Sequence, residues 1–253
     1  MAYEINKKSS LSAGIQEIAY TIMNRKYPVR SDQTLTVIQQ LLGRGITKIA
    51  AIVRHSERFY STKPGTEPFM GLTPAGMQSA MEMGQNLPAF PLPRLHSSLF
   101  GRCIETAYLI DKGFSRRHGV HLAHNQSHEL LAPFYIKNVE KALFLLEEQG
   151  TQAYIRNWFD NRIDREIMGN PTTTASALTT FMLDRIADLK ENEIAVCVSH
   201  DWNIFPLKEF VLGLAHEDAG DVGYLDGVVF FEQDGQTFAT SFQTDPQPVN
   251  AAG

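Results

Sequence analysis

The chain has 253 residues, of which 43% are apolar and 20% charged, with a net charge of −5. That composition supports a substantial core and argues against disorder. The acidic balance and the lack of a basic run argue against nucleic acid or an anionic membrane as the main partner.

Residues 1–10 read as a polar tail. Ser10 or Ser12 caps an expected helix to about Asn24, with Ile15, Ile18, Ala19 and Ile22 at helical spacing. A second helix starts at Asp32 or Thr34, turns Leu35, Val37, Ile38, Leu41 and Leu42 inward, and ends at Gly43 and Gly45. The apolar run 48–53 is a buried strand that delivers Arg54-His55-Ser56-Glu57-Arg58 at its carboxyl end. Residues 59–72 are a loop by their Pro and Gly content. Thr73-Pro74 opens a helix to about Asn86, a capping hydroxyl followed by Pro at the first helical position. A short strand near 94–97, a helix over 101–112 and a short strand over 120–123 follow. Residues 128–190 are mostly helical, with helices near 138–149, 151–160 and 174–189. The buried strand 193–199 ends in His200-Asp201. A helix over 202–212 follows, in which Pro206 fits only if it falls in the first turn. Two strands, 227–232 and 237–242, flank Asp234-Gly235, a hairpin signal. The tail 245–253 is expected to fray.

Strands that alternate with helices argue for a three-layer α/β/α sandwich around a mostly parallel sheet. The whole chain, 1–253, reads as one domain, with 1–45 as an N-terminal helical extension and 128–190 as a helical cap over the carboxyl edge of the sheet. Cys103 and Cys197 are too few for a disulfide framework in a chain of this length. The N-terminus lacks an apolar signal core, and no run approaches the ~20 residues of a membrane span. A cytoplasmic location, away from membranes, is the expectation.

Two buried strands that each end in a histidine point to one site at the carboxyl edge of the sheet, where open α/β folds bind ligands. Arg54 and Arg58 place two guanidinium forks around His55, a pattern that suits phosphate oxygens. An imidazole that attacks phosphorus must be neutral, with its other N–H held by an acceptor. Surrounding positive charge favours that neutral form. Ser98-x-x-x-Arg102-x-x-x-Thr106-Ala107 places Arg102 in the first turn of a helix, which makes sense with an anion between the guanidinium and the helix dipole. His200 is suited to donate to a phosphoryl oxygen. Asp201 is suited to protonate a leaving oxygen, to cap the following helix, or both.

These stretches resemble the histidine phosphatase superfamily, also called phosphoglycerate mutase-like. Arg54-His55-Ser56 sits where that family has Arg-His-Gly. Leu72-Thr73-Pro74-Ala75-Gly76 resembles its Leu-Thr-x-x-Gly helix start. Ser98…Arg102…Thr106-Ala107 resembles its second arginine motif, and Ser199-His200 its second histidine motif. The four occur in the family's order. Arg58 and His200-Asp201-Trp202-Asn203-Ile204 lean toward the acid phosphatase branch. Ser56 departs from the hallmark glycine. Glu57 matches the mutase-containing branch, and Glu129 lies about where that branch carries its acid.

The resemblance implies a metal-independent phosphomonoester hydrolase acting through a phosphohistidine on His55. It implies that Arg54, Arg58, Arg102 and His200 hold the phosphoryl group and that Asp201 is the general acid. The alternatives are a phosphoglycerate mutase-like phosphotransferase with Glu129 as acid, or a non-catalytic phosphate-binding module. No metal and no cofactor are expected: His121, His124 and His128 read as surface or rim histidines. The expected partner is a phosphorylated small molecule or phosphopeptide.

Overall fold

The structure, a computed structural model, describes residues 27–60 and 69–249. The helix expected before Asn24 and residues 61–68 of the expected loop lie outside them. The strands are β1 (Ile49–Arg54), β2 (Leu92–Ser97), β3 (Gln126–Ser127), β4 (Glu193–Ser199), β5 (Gly227–Gln233), β6 (Gln236–Ser241) and β7 (Thr244–Pro248). They form one mixed sheet in the order β3-β2-β4-β1-β5-β6-β7. The first four in that order are parallel, and the last three add antiparallel to β1.

Both faces of the sheet are covered, and the strand alternation says by what. Ile49, Ala51 and Val53 of β1 and Ile194, Val196 and Val198 of β4 share one core with Leu35, Ile38, Met83 and Ile110. Those partners come from α1 (Ser31–Gly43), α2 (Pro74–Asn86) and α3 (Gly101–His118). Ala50, Ile52, Ala195 and Cys197 face the opposite core, with Trp158, Leu178, Met182 and Ile204. Those come from α5 (Thr151–Phe159), α6 (Pro171–Ala187) and α7 (Asp201–Phe210). Each fully buried Ile or Leu contributes about 1.5–3 kcal/mol. A continuous apolar run therefore forms a central strand, because both faces are buried. The short α4 (Val139–Gln149) precedes α5, and α8 (His216–Ala219) follows α7. The three-layer α/β/α reading holds, with parallel strands at the core of the sheet. Among the described residues, no helix is long and apolar enough to cross a membrane.

Local signals explain the boundaries. The Thr73 hydroxyl accepts from the Gly76 N–H at 3.0 Å, with Pro74 in the first turn, a cap worth about 1 kcal/mol. Asp234 (φ 52°) and Gly235 (φ 74°) both take the left-handed region that a tight hairpin demands.

Four expectations are corrected. The strand expected over 120–123 forms at Gln126–Ser127 instead. Asn125 donates its side-chain N–H to Ser97 Oγ at 2.8 Å, and Gln126 pairs with His96. Edge pairing decides its place, and alternation does not. The helix expected to stop near Lys112 runs on to His118, where Gly119 (φ 68°) supplies a left-handed cap. Of the tail expected to fray, residues 250–253 lie outside the described residues and residues 245–248 belong to β7, an edge strand. Its Pro246 and Pro248 need no ladder donor on the open side. Pro206 lies in the second turn of α7, so the Trp202 carbonyl four residues earlier has no helical N–H to accept from.

Candidate active site

Parallel pairing of neighbouring strands brings the motifs together. Arg54 is in register with Ser199, and the His55 N–H donates to the Ser199 carbonyl at 2.9 Å. Ser97 is in register with Val198, and the Ser98 N–H donates to the Val198 carbonyl. The ends of β2, β4 and β1 therefore deliver Ser98, His200 and His55 side by side. The His55 and His200 rings lie 5.5 Å apart, edge to face. Both are buried.

The contacts of each imidazole assign its tautomer. His55 Nδ1 lies 2.8 Å from the Ser56 carbonyl, which only accepts, so Nδ1 carries the proton and Nε2 keeps its lone pair. The Arg102 guanidinium lies 3.3 Å from His200 Nδ1 and only donates, so His200 carries its proton on Nε2, 3.0 Å from Ser98 Oγ. Burial holds the His55 pKa well below the usual histidine range, and Arg102, Arg54, His200 and Arg58 add to that. Burial, then Arg102, Arg58 and Arg54, do the same for His200. Both rings are neutral.

The supporting shell explains the motif spacings. Thr106 Oγ1 accepts from the Ser56 N–H at 3.1 Å and donates to the Arg102 carbonyl at 2.7 Å. One face of α3 thus turns Arg102 to His200 and, one turn later, Thr106 to the loop that follows His55. Ser56 Oγ donates to the Gly76 carbonyl at 2.7 Å, and its φ is not positive. The serine in place of the hallmark glycine is therefore unstrained and ties the loop to α2. Gly76 is required here: an added Cβ would sit 2.0 Å from the Glu57 carbonyl oxygen. The Glu57 carboxylate accepts from the Thr73 hydroxyl at 2.8 Å, which binds the same two segments together.

Arg54 is buried and heavily engaged. It donates to the Val222 carbonyl at 2.6 Å and pairs with Asp201 Oδ2 at 3.0 Å. Its guanidinium lies 4.2 Å from the Tyr27 ring centroid and 4.5 Å from that of Tyr224. Leu225, at φ 60°, is a bulky residue in left-handed backbone. Its N–H donates to the Arg54 carbonyl, while the Arg54 N–H donates to the Asp226 carbonyl. The Asp226 side chain is fixed in turn by Lys208 at 3.0 Å, both groups being buried, and Lys208 also donates to Gln243. Removing one partner of such a buried pair costs about 3–5 kcal/mol, so the strained loop that seats Arg54 is held firmly.

The expected site residues divide into three groups. His55, His200, Arg54, Arg102 and Asp201 come together. Asp201 lies at the first position of α7, with His200 at the cap position, and Asp201 Oδ1 accepts from the Trp202 N–H at 2.9 Å. Arg58 borders this group: its charge acts on both histidines, and its guanidinium stacks 4.0 Å over Tyr60. Glu129 does not join this group: it is exposed on a 3-10 turn (Glu129–Leu131) and lines a neighbouring cavity that neither His55 nor His200 lines. Ser98 and Thr106 act inside a motif read mainly for its arginine. Tyr224, Asp226 and Lys208 carry no signal in the sequence, because they meet Arg54 only through the fold. His128, read as a rim histidine, lies 2.9 Å from the buried His96.

A family model described as histidine phosphatase superfamily (branch 1) matches residues 50–223, more than half of the chain. The chain belongs to the histidine phosphatase superfamily. The lean toward the acid phosphatase branch finds no support in that match. Among solved structures, phosphoserine phosphatase of Entamoeba histolytica in complex with 3-phosphoglyceric acid is 17% identical, with a TM-score of 0.54 over 80% of this chain and 98% of that one. A mycobacterial glucosyl-3-phosphoglycerate phosphatase with inorganic phosphate is 16% identical, with a TM-score of 0.54 over 78% of this chain and 99% of that one. The Bacillus stearothermophilus protein YhfR is 17% identical, with a TM-score of 0.53 over 76% and 95%. At these identities the likeness is one of fold. No curated protein matches the chain.

The depressed histidines make a prediction for this superfamily member. Burial, with His128, Arg185 and Arg94, takes His96 from 6.5 down to about 3. In the unfolded chain these histidines bind a proton near 6.5, whereas folded His55, His200 and His96 stay neutral. The unfolded state then binds more protons, so stability rises with pH. Their contribution is complete above 6.5 and is lost as the pH falls toward the folded values, with His96 carrying the loss down to about 3. Urea midpoints measured at stepwise lower pH should decline from about pH 6.5 downward. A midpoint unchanged to about pH 5 would contradict the neutral assignment.

Proposed function

We propose that the protein is a metal-independent phosphomonoester hydrolase that works through a phosphohistidine on His55, with Asp201 as general acid, on a phosphorylated small molecule or peptide. The observation that carries this reading is the state of His55. Its Nδ1 proton is held by the Ser56 carbonyl and its neutral ring keeps the Nε2 lone pair. Around it stand His200 and the cations Arg54, Arg58 and Arg102.

In this reading Nε2 attacks phosphorus and the bond from phosphorus to the alcohol oxygen breaks. The departing oxygen takes a proton from Asp201, which carries it only in the state in which its charge pairing with Arg54 is given up. Water then attacks the phosphohistidine and gives a proton back to Asp201. The phosphorus–nitrogen bond breaks, the Nε2 lone pair returns and phosphate leaves. The net change is one water consumed per ester cleaved. The covalent step splits one displacement into two, and guanidinium groups offset charge on the phosphoryl oxygens. The Arg54 pair and the Trp202 N–H keep Asp201 in one orientation beside the site.

The reading is tested by phosphate release from an aryl phosphate with chelator present. Turnover that withstands the chelator is expected. Turnover that appears only with added divalent metal would overturn the metal-independent mechanism.

A further inference from the structure

A cavity of about 590 Å³ lies between the 3-10 turn, the Phe134–Tyr135 segment and the first turns of α6. Leu130, Phe134 and Tyr135 line it together with Ala177 and Leu178, and Glu129 and Arg165 are among its polar lining groups. The volume is that of an ordinary small-molecule site. Because α6 leads back to the start of β4, its first turns lie at the end of the sheet where β4 finishes.

The cavity neighbours the phosphoryl site across two aromatic rings. The Phe134 ring meets Phe100 edge-on at 6.4 Å, and Phe100 meets His200 at 4.9 Å. Phe100 also lies 4.9 Å below the Arg102 guanidinium. The wall is pinned to the strand and helix that carry His200: Ser199 Oγ donates to the Leu131 carbonyl at 2.8 Å, and the Asn203 amide to that of Leu130. Tyr135 is stacked on Trp158, with ring planes 9° apart. The wall is thus fixed in place, yet Leu130 and Phe134 leave half of their surface open, at 50% and 52%. Fixed, open apolar surface beside a reactive centre is surface that a ligand covers.

We propose that this cavity receives the alcohol part of the substrate, and that the substrate is a phosphomonoester of an apolar alcohol, a ring or a chain of several carbons, and not of a small hydroxy acid. The proposal rests on the phosphatase reading and names the substrate class of that site. The apolar body would lie against Phe134, Leu130 and Leu178, with the ester oxygen passing Phe100 toward His55.

The test compares hexyl phosphate with ethyl phosphate and O-phosphoserine. All three are esters of primary alcohols, so their intrinsic reactivities are similar. Wild-type kcat/KM for the hexyl ester is expected to exceed that for ethyl phosphate by about 10- to 100-fold, from four further buried methylenes. Ala177→Trp, which fills the cavity from α6, should reduce the hexyl-to-ethyl ratio at least about 10-fold. Phe134→Ser, at a half-exposed position, should reduce the ratio in the same direction. Equal kcat/KM on all three esters, or a preference for phosphoserine, would overturn the assignment of the cavity and leave the phosphatase reading standing. Failure of the wild type to release phosphate from any ester would overturn both.

Discussion

Replacing His55 with alanine lowers kcat/KM on an aryl phosphate by about ten-thousand-fold or more. The size follows from what the side chain is asked to do. It supplies the lone pair, and neither of two described nitrogen or sulfur groups nearby, His200 and Cys103, is placed to substitute. His200 is committed, its Nδ1 to Arg102 and its Nε2 to Ser98. The neighbouring Cys103 is buried, and burial pushes its thiol up to about 12, so it is no thiolate at neutral pH. The arginines remain in the variant, so it should still bind inorganic phosphate. Loss of turnover with retained phosphate binding separates a missing nucleophile from a collapsed site. Turnover within about 10-fold of wild type would remove His55 from the chemistry.

Asp201→Asn should slow cleavage of alkyl phosphates by roughly 10²- to 10⁴-fold, and Glu129→Gln far less. Asp201 contacts Arg54 within the site, whereas Glu129 is exposed on its turn. The asparagine also breaks the pair with a buried guanidinium, which costs stability in its own right. The leaving-group dependence isolates the acid role. A poor alkoxide leaving group needs the proton and an activated phenoxide needs it little, so the defect should be larger on alkyl than on aryl esters. A uniform loss on both would mark Asp201 as structural. The reverse ranking of the two variants would make Glu129 the acid and draw the mechanism toward the mutase-containing branch.

The parts of the fold that were legible in the sequence are those whose physics is local. The apolar run 49–53 and the run 194–198 can only be central strands when both faces are covered, and both are. Thr73-Pro74 and Asp234-Gly235 state their cap and turn directly. The same holds for the histidines and Arg102, because residues at the ends of adjacent parallel strands, or in the helix turn beside them, must converge. What was not legible depends on contacts distant in sequence. The Lys208–Asp226 pair, Tyr224 and the left-handed Leu225 seat Arg54 through a loop with no periodicity. β7 was hidden by its prolines, which read as a breaker in a tail but are tolerated at a sheet edge. Ser56 departs from the hallmark glycine, and the sequence assigns its hydroxyl no partner. Its hydroxyl has a partner in Gly76, and that contact exists only once α2 lies against the loop.

The most direct test of the central claim is to find the phosphoryl group on the enzyme. The protein would be mixed with a labelled aryl phosphate, quenched within one turnover under alkaline conditions that preserve phosphohistidine, and mapped by mass spectrometry. The predicted result is a single acid-labile phosphoryl group on His55, absent from His55→Ala. Turnover with no covalent phosphoryl group, or with the label on another residue, would contradict it.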